Sequence, residues 1–244
     1  MKQNKYDESI FFDKYSNMER SKKGLEGSGE WYELKKMLPD FRGKRVLDLG
    51  CGFGWHCRFA IENGAKSVIG VDISRKMLKE AKDKTKSEHI QYICIPIEDI
   101  DFQENFFDVV ISSLTFHYIQ SFEDILSKIK KCLSSGGEFV FSVEHPIFTA
   151  QGLQDWCYDD KGNISHWPVD QYFKEGRRKA NFLGEEVIKY HKTLTTYLNC
   201  LMKAGFEITG FVEPKPAEEL LNTVPRMVDE LRRPMMLLVS SRKR

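Results

Sequence analysis

The stretch RVLDLGCGFGWH, residues 45–56, sets an aspartate, Asp48, two positions ahead of glycines 50, 52 and 54. Glycines at alternate positions strip side chains from a turn and admit left-handed backbone, so the turn can press against something that is not protein. A second carboxylate, Asp72, ends the next apolar run, SVIGVD, and lies 22 positions after Gly50 (72 − 50). Two uses of a glycine turn fail on spacing. A dinucleotide turn needs G-x-G-x-x-G, and the sixth position is Trp55 counted from Gly50 and Cys57 counted from Gly52. A phosphate loop needs Gly-Lys-Ser/Thr after its glycines, and GFGWHC has no lysine. What remains is an anionic residue beside a bare turn, suited to a ligand ammonium. Asp72 stands at the spacing where a carboxylate takes two hydrogen bonds from a ribose diol. The alternative for both acids is turn capping.

Stepping from these residues to their supports, the chain between 44 and 144 alternates strand and helix. RVLDLG, SVIGVDI, IQYICI, FDVVISS and EFVFSVE are short, continuously apolar runs, as expected of a parallel sheet covered on both faces. Between them, WHCRFAIENGA is a helix ended by Gly64. Ser74 caps a helix with Met77, Leu78 and Ala81 on one face. Ser121 with Asp124 opens a third helix with Phe122, Ile125, Leu126, Ile129 and Leu133 as its stripe, ended by SSGG. FEITGFVEP and MMLLVSS read as two late strands, and the first 40 residues as one or two helices with Trp31, Leu34 and Leu38 as a face. The reading is one α/β domain over 1–244, a doubly wound sheet with helices on both faces.

Residues 145–189 break the rhythm, with Gly, Pro and Asp punctuation and many aromatics, among them Trp156, Tyr158, Trp167, Tyr172 and Phe173. The segment is too long for a passive connection and reads as a lid or substrate-shaping insertion, or as a peripheral flap packed by its own rings. His117, His145 and His191 are the candidate bases, each expected at a strand end or helix start, His191 at the start of the helix after the insertion. Capping or packing is the alternative for each. The 37 Lys+Arg against 36 Asp+Glu give a formal charge of +1, against a general polyanion binder. No apolar run approaches bilayer length and the N-terminus lacks a secretory pattern, so the chain is expected to be cytoplasmic. Six cysteines without a C-x-x-C pair read as reduced, buried small hydrophobes rather than disulfides or a zinc site.

A ribose at one end, an ammonium at the other and no phosphate between them describes S-adenosylmethionine. From about residue 40 onward the chain resembles a class I S-adenosylmethionine-dependent methyltransferase, with a Rossmann-like seven-stranded sheet whose last strand is antiparallel. VLDLGCGFG is similar to that family's first motif, VIGVDIS to its ribose-binding strand end, FDVVISSLTFHYI to its fourth strand and loop, and SSGGEFVFS to the turn into the fifth. The resemblance implies that Gly50, Cys51 and Gly52 offer backbone to the methionyl part, with Asp48 near its ammonium. It implies Asp72 on the ribose, Ile73 on the adenine and Ser113 at the methionine end. The loop after the third strand departs from the pattern. Pro96 stands where an acid aligns, which leaves the backbone of Ile97 and the carboxylate of Glu98 to read the adenine edge. SSLTFHYI lacks the Asn/Asp-Pro-Pro-aromatic sequence of amino-directed nucleic-acid methyltransferases, so the implied acceptor is a small molecule, not nucleic acid or membrane. VEHPIFTA and YHKTLTTY look like stretches of small-molecule members, which favours His145 and His191, with Glu144 as an orienting partner. The alternative is a non-catalytic S-adenosylmethionine-binding module on the same fold.

Overall fold

The computed structural model describes residues 3–244. Three short helices open it, α1 (Ser9–Ser16), α2 (Glu19–Lys22) and α3 (Trp31–Met37). Then come β1 (Arg45–Leu49), α4 (Trp55–Glu62), β2 (Ser67–Asp72), α5 (Arg75–Asp83), β3 (Ile90–Cys94), β4 (Phe107–Ser113), α6 (Phe122–Cys132) and β5 (Leu133–Glu144). The middle region holds α7 (Pro146–Thr149), a ribbon of β6 (Cys157–Tyr158) and β7 (Ile164–His166), and a hairpin of β8 (Gly176–Phe182) and β9 (Glu185–His191). It ends with α8 (Leu194–Lys203), β10 (Phe206–Val212), α9 (Glu218–Thr223) and β11 (Met236–Lys243).

Seven strands form one sheet in the order β3-β2-β1-β4-β5-β11-β10. Neighbours from β3 to β5 pair in parallel, and β11 runs antiparallel between β5 and β10. This is the doubly wound sheet with an antiparallel last strand that the alternating runs imply. Leu47, Leu49, Val109, Val110 and Ile111 are buried because helices cover both faces. Phe122, Ile125, Leu126 and Ile129 of α6 fill one face, whereas Cys57 and Ala60 of α4 and Leu78 of α5 fill the other. The strand order reverses at β1, which has β2 on one side and β4 on the other, and open sheets of this kind hold their ligands in the crevice beyond the carboxyl ends at that point. The turn that leaves β1 there is the glycine run.

The structure corrects several boundaries. SSGG does not end α6: the helix stops at Cys132, and residues 134–137 already belong to β5. The region read as aperiodic contains a regular hairpin, whose turn takes left-handed backbone at Leu183 (φ 57°) and Gly184 (φ 78°). His191 is the last residue of that hairpin, not the first of a helix, since α8 begins at Leu194 behind a Thr193 cap. The cysteines are all free, but Cys94 is exposed and Cys157 and Cys200 are only half-buried. Among the described residues no helix is long and apolar enough to cross a membrane.

The hairpin pairs with no strand of the main sheet. It packs against the chain's beginning: Phe11, Ala180 and Val187 form a small buried cluster flanked by Tyr6, Phe182 and Leu183. The Ile188 amide donates to Gln3 Oε1 at 2.7 Å, and Lys14 lies 3.7 Å from Glu185. Two segments far apart in sequence thus form one packed unit. Phe11→Ala should leave a cavity costing about 3 kcal/mol there. Hydrogen exchange should then quicken roughly a hundredfold in residues 3–16 and 176–191 together, with the sheet amides unchanged. Acceleration in only one of the two segments would show that they open independently.

Candidate functional site

Gly50, Gly52 and Gly54 all have left-handed backbone, with φ of 75°, 52° and 71°. The Gly50 and Cys51 amides donate to the Val71 carbonyl at 2.8 and 2.9 Å, pinning the turn to the end of β2. A Cβ on Gly50 would collide with Thr115, and one on Gly54 with the Tyr92 hydroxyl. At Gly52 a Cβ would meet nothing within 4 Å, so that stretch of backbone faces open space.

Asp72 fastens this turn from the other side. Its Oδ2 accepts from the Gly52 amide at 2.9 Å and its Oδ1 from the Ser74 amide at 2.8 Å. Burial pushes its carboxyl up to about 6 against the pull of those backbone donors. Both oxygens therefore cap turns in this structure, and each keeps lone-pair capacity for a further donor. Asp48 is more enclosed: its Oδ2 accepts from the Cys57 thiol at 3.2 Å, and its buried Oδ1 has no protein partner. Burial pushes its carboxyl up to about 7.

The other expected residues line the carboxyl ends of β1 to β4. Cys51 is buried beneath the turn. Ile73 is half-buried, its carbonyl taking the Asn4 amide at 3.3 Å. The side chain of Ile97 packs into the main core, so only its backbone can face the crevice; Glu98 follows it in the same 3-10 turn, half-buried. Ser113 ends β4, its Oγ accepting from Ser142 Oγ at 3.2 Å. Leu114 is held in left-handed backbone (φ 51°) by its amide bonds to Ser142, and non-glycine residues in that region are commonest at functional turns.

The N-terminal segment also reaches this edge, which the sequence reading missed. Asp7 accepts from Ser74 Oγ at 2.6 Å and from the Lys76 amide at 3.0 Å, capping α5 from outside. The Tyr6 and Tyr118 hydroxyls lie 3.3 Å apart. Arg20 pairs with buried Glu30 at 3.0 Å and acts electrostatically on Tyr15, His56, His117 and Tyr118. Glu30 Oε2 and His56 Nε2 are buried without a protein partner, as is Asp48 Oδ1. In the sequence this stretch reads only as one or two helices with Trp31, Leu34 and Leu38 as a face, which gives no signal for Tyr6, Asp7 or Arg20.

Accounting for lone pairs changes the standing of the three histidines. His191 is fully buried, with Nε2 2.8 Å from the Tyr172 carbonyl and Nδ1 2.8 Å from Thr149 Oγ1. A carbonyl only accepts, so Nε2 carries the proton and the lone pair on Nδ1 is taken by the hydroxyl. His145 accepts the Ile147 amide on Nδ1 at 3.1 Å, capping α7, and turns Nε2 to Glu213 at 2.8 Å. His117 accepts the Glu144 amide on Nδ1 at 3.3 Å and turns Nε2 toward Glu144 Oε1, 3.9 Å away. Burial pushes His117 down to about 4. Each neutral ring thus has its lone pair in use and offers an N–H. In this arrangement both ring nitrogens of His145 and His191 face protein groups, and His117 turns its Nε2 toward Glu144. A missed group completes the cluster. Buried Lys189 lies 2.5 Å from Glu144 Oε1 and donates to Gln154 Oε1 at 2.7 Å, while Gln154 Nε2 donates to Glu144 Oε2 at 2.8 Å.

Comparison with known proteins adds to this geometry. Residues 47–141 match a family described as methyltransferase domain. The chain is 36% identical to a Haemophilus influenzae protein without an assigned function, over 98% of this chain and 96% of that one. It is similar to a Listeria monocytogenes structure assigned as an S-adenosylmethionine-dependent methyltransferase, at 57% identity and a TM-score of 0.86, covering 91% of this chain and 99% of that one. A Mesorhizobium loti S-adenosylmethionine-dependent methyltransferase is 41% identical with a TM-score of 0.84, covering 90% and 100%.

The enclosed carboxylate of Asp48 carries a measurable cost. Its folded pKa lies above the unfolded value near 3.8, so ionisation opposes folding fully above pH 7 and not at all below about pH 3.8. Asp48→Asn should therefore raise the stability of the ligand-free protein by roughly 2–4 kcal/mol at pH 8, with the gain shrinking as pH falls toward 4. Melting curves of both proteins across that range check it; a mutant less stable at pH 8 would contradict the buried-charge account.

Proposed function

We propose that this chain, which belongs to the class I S-adenosylmethionine-dependent methyltransferases, methylates a small organic acceptor inside a closed compartment. Its reaction is methyl transfer from S-adenosylmethionine, which when bound supplies an activated methyl on a sulfonium. The residues present fit that cofactor. The unpartnered Oδ1 of Asp48 suits the ammonium, and the open backbone at Gly52 leaves room for the methionyl chain, with Cys51 and Gly50 completing the turn. Asp72 would take the ribose hydroxyls, Ile73 would pack on the adenine, and Ile97 backbone and Glu98 would read its edge. Ser113 would border the methionine end. Arg20, shared by the groups above the turn, suits the carboxylate.

What supports a small acceptor is the way two segments close over the crevice. The N-terminal segment and the 145–189 region act together as the lid, joined through Phe11 and Phe182, and the N-terminal segment is seated on the sheet edge through Tyr6 with Tyr118 and Asp7 with Ser74. Such a lid excludes water and holds nucleophile, methyl and sulfur in line. The balanced formal charge of +1 supplies no net excess of cations for a nucleic acid. With the histidine lone pairs taken, Glu144 is the group that receives a proton or hydrogen bond from the acceptor, beside the N–H of His117. A binding-only role would leave this buried charged cluster without a use.

A screen of metabolites and bulk tRNA for S-adenosylhomocysteine production tests the reading. Turnover with a small molecule supports it; methylation of tRNA alone overturns it. Asp72→Ala should weaken S-adenosylmethionine binding by about 1.5–3 kcal/mol in calorimetry, and unchanged affinity would remove the ribose assignment. With the acceptor in hand, Glu144→Gln should slow transfer by about 10² to 10⁴ at unchanged cofactor affinity. His191→Ala should lower the melting temperature but keep the rate within about tenfold. A hundredfold loss in folded His191→Ala would return that residue to the catalytic role.

A further inference from the structure

We propose that Lys189 is a positioning residue for Glu144: seated by the hairpin, it claims the carboxylate oxygen that His117 would otherwise take, so that Glu144 is set for the acceptor only while the hairpin is in place. The inference rests on Glu144 being the group that faces the acceptor.

Lys189 is 2% exposed and sits on the inward face of β9 between Val187 and His191. Two donors compete for Glu144 Oε1, the lysine at 2.5 Å and the imidazole Nε2 at 3.9 Å, and the lysine wins by distance. Gln154 fixes the other end by bonding both partners, at 2.7 and 2.8 Å. Burial acts to raise the Glu144 carboxyl, and His117, Lys189 and Gln154 more than reverse it, leaving it below the usual carboxylate range. Lys189 is the amine hydrogen-bonded to Glu144 Oε1, and His117, pushed down to about 4 by burial, is the second group acting on that carboxyl. The remaining groups are Tyr118 and Tyr197, both pushed up by burial and uncharged; Lys192 and Arg20 act on His117 and further oppose its protonation.

The lysine's place depends on an element tied down by side-chain contacts and a few hydrogen bonds. The hairpin shares no backbone ladder with the main sheet, and its buried contacts run to Phe11 and its neighbours. Units of that kind open at lower free energy than the sheet beneath them. When the hairpin lifts, Lys189 leaves with it, Glu144 loses its cation and turns to the donor that stays, His117. Proton affinity at Glu144 and closure of the compartment are then one event.

Infrared titration of 13C-glutamate-labelled protein, with Glu144→Gln as the difference reference, reads this carboxyl without any acceptor. In Lys189→Met, Glu144 should titrate at least about one pH unit higher than in wild type. Lys189→Arg keeps the charge and should titrate within half that shift, with hairpin amides 176–191 still protected from exchange. With the acceptor identified, transfer by Lys189→Met should fall about twofold or more at pH 5.5 and recover by pH 8, which a lysine of purely structural use would not produce. An unshifted carboxyl in Lys189→Met, or an arginine variant that titrates like the methionine one, overturns the inference. Full transfer by Glu144→Gln instead overturns the role given to Glu144 and with it the catalytic meaning of the clamp, even if the carboxyl shifts.

Discussion

One carboxylate ties the working edge of this molecule together. Asp72 accepts from Gly52 on the turn after β1 and from Ser74 at the head of α5, and Ser74 in turn donates its hydroxyl to Asp7 of the N-terminal segment. Three stretches of chain separated by tens of residues thus share one hydrogen-bonded chain. The arrangement is costly, since burial raises the carboxyl toward neutrality, and it persists because the backbone donors have no other partner there. The left-handed glycines, the cap on α5 and the seating of the first residues all follow from where this side chain is held.

Polar groups at this edge work against stability as much as for it. Asp48 is buried with one oxygen unpartnered, Leu114 is held in backbone that leucine avoids, and Lys189, Glu144 and His117 form a charged cluster under the hairpin. The core below is of the opposite kind, with Phe116, Phe122, Phe139 and Phe141 in mutual contact at ring separations of 5.0 to 5.9 Å. A dense aromatic base lets the edge above it tolerate strain, the usual distribution in an enzyme built on a doubly wound sheet.

Much of this was legible in the sequence wherever the cause is local. The apolar runs, the Ser74 and Ser121 caps, and the glycine turn with its two aspartates are set by residues within a few positions of each other, and they form as read. The hairpin escaped because its turn places Leu183, an uncommon left-handed residue, ahead of Gly184, and because its inward face carries Lys189 and His191 among apolar neighbours. For the histidines, residue type and geometry carry different information. Residue type says that an imidazole can take a proton; only the finished geometry says that Thr149, Ile147 and Glu144 have already used each lone pair. Asp7, Arg20 and Lys189 act across distances that no pattern in the sequence encodes.

The place of β11 bears on how the chain comes into being. Residues 236–243 lie between β5 and β10, yet they are synthesised after both. While translation proceeds, β5 therefore presents a long, apolar, unsatisfied edge, and β10 has no ladder to join. Phe139, Phe141 and Val143 stay half-clad until that late segment leaves the ribosome and inserts between its two neighbours. The growing chain spends that interval open to strand exchange with its own copies.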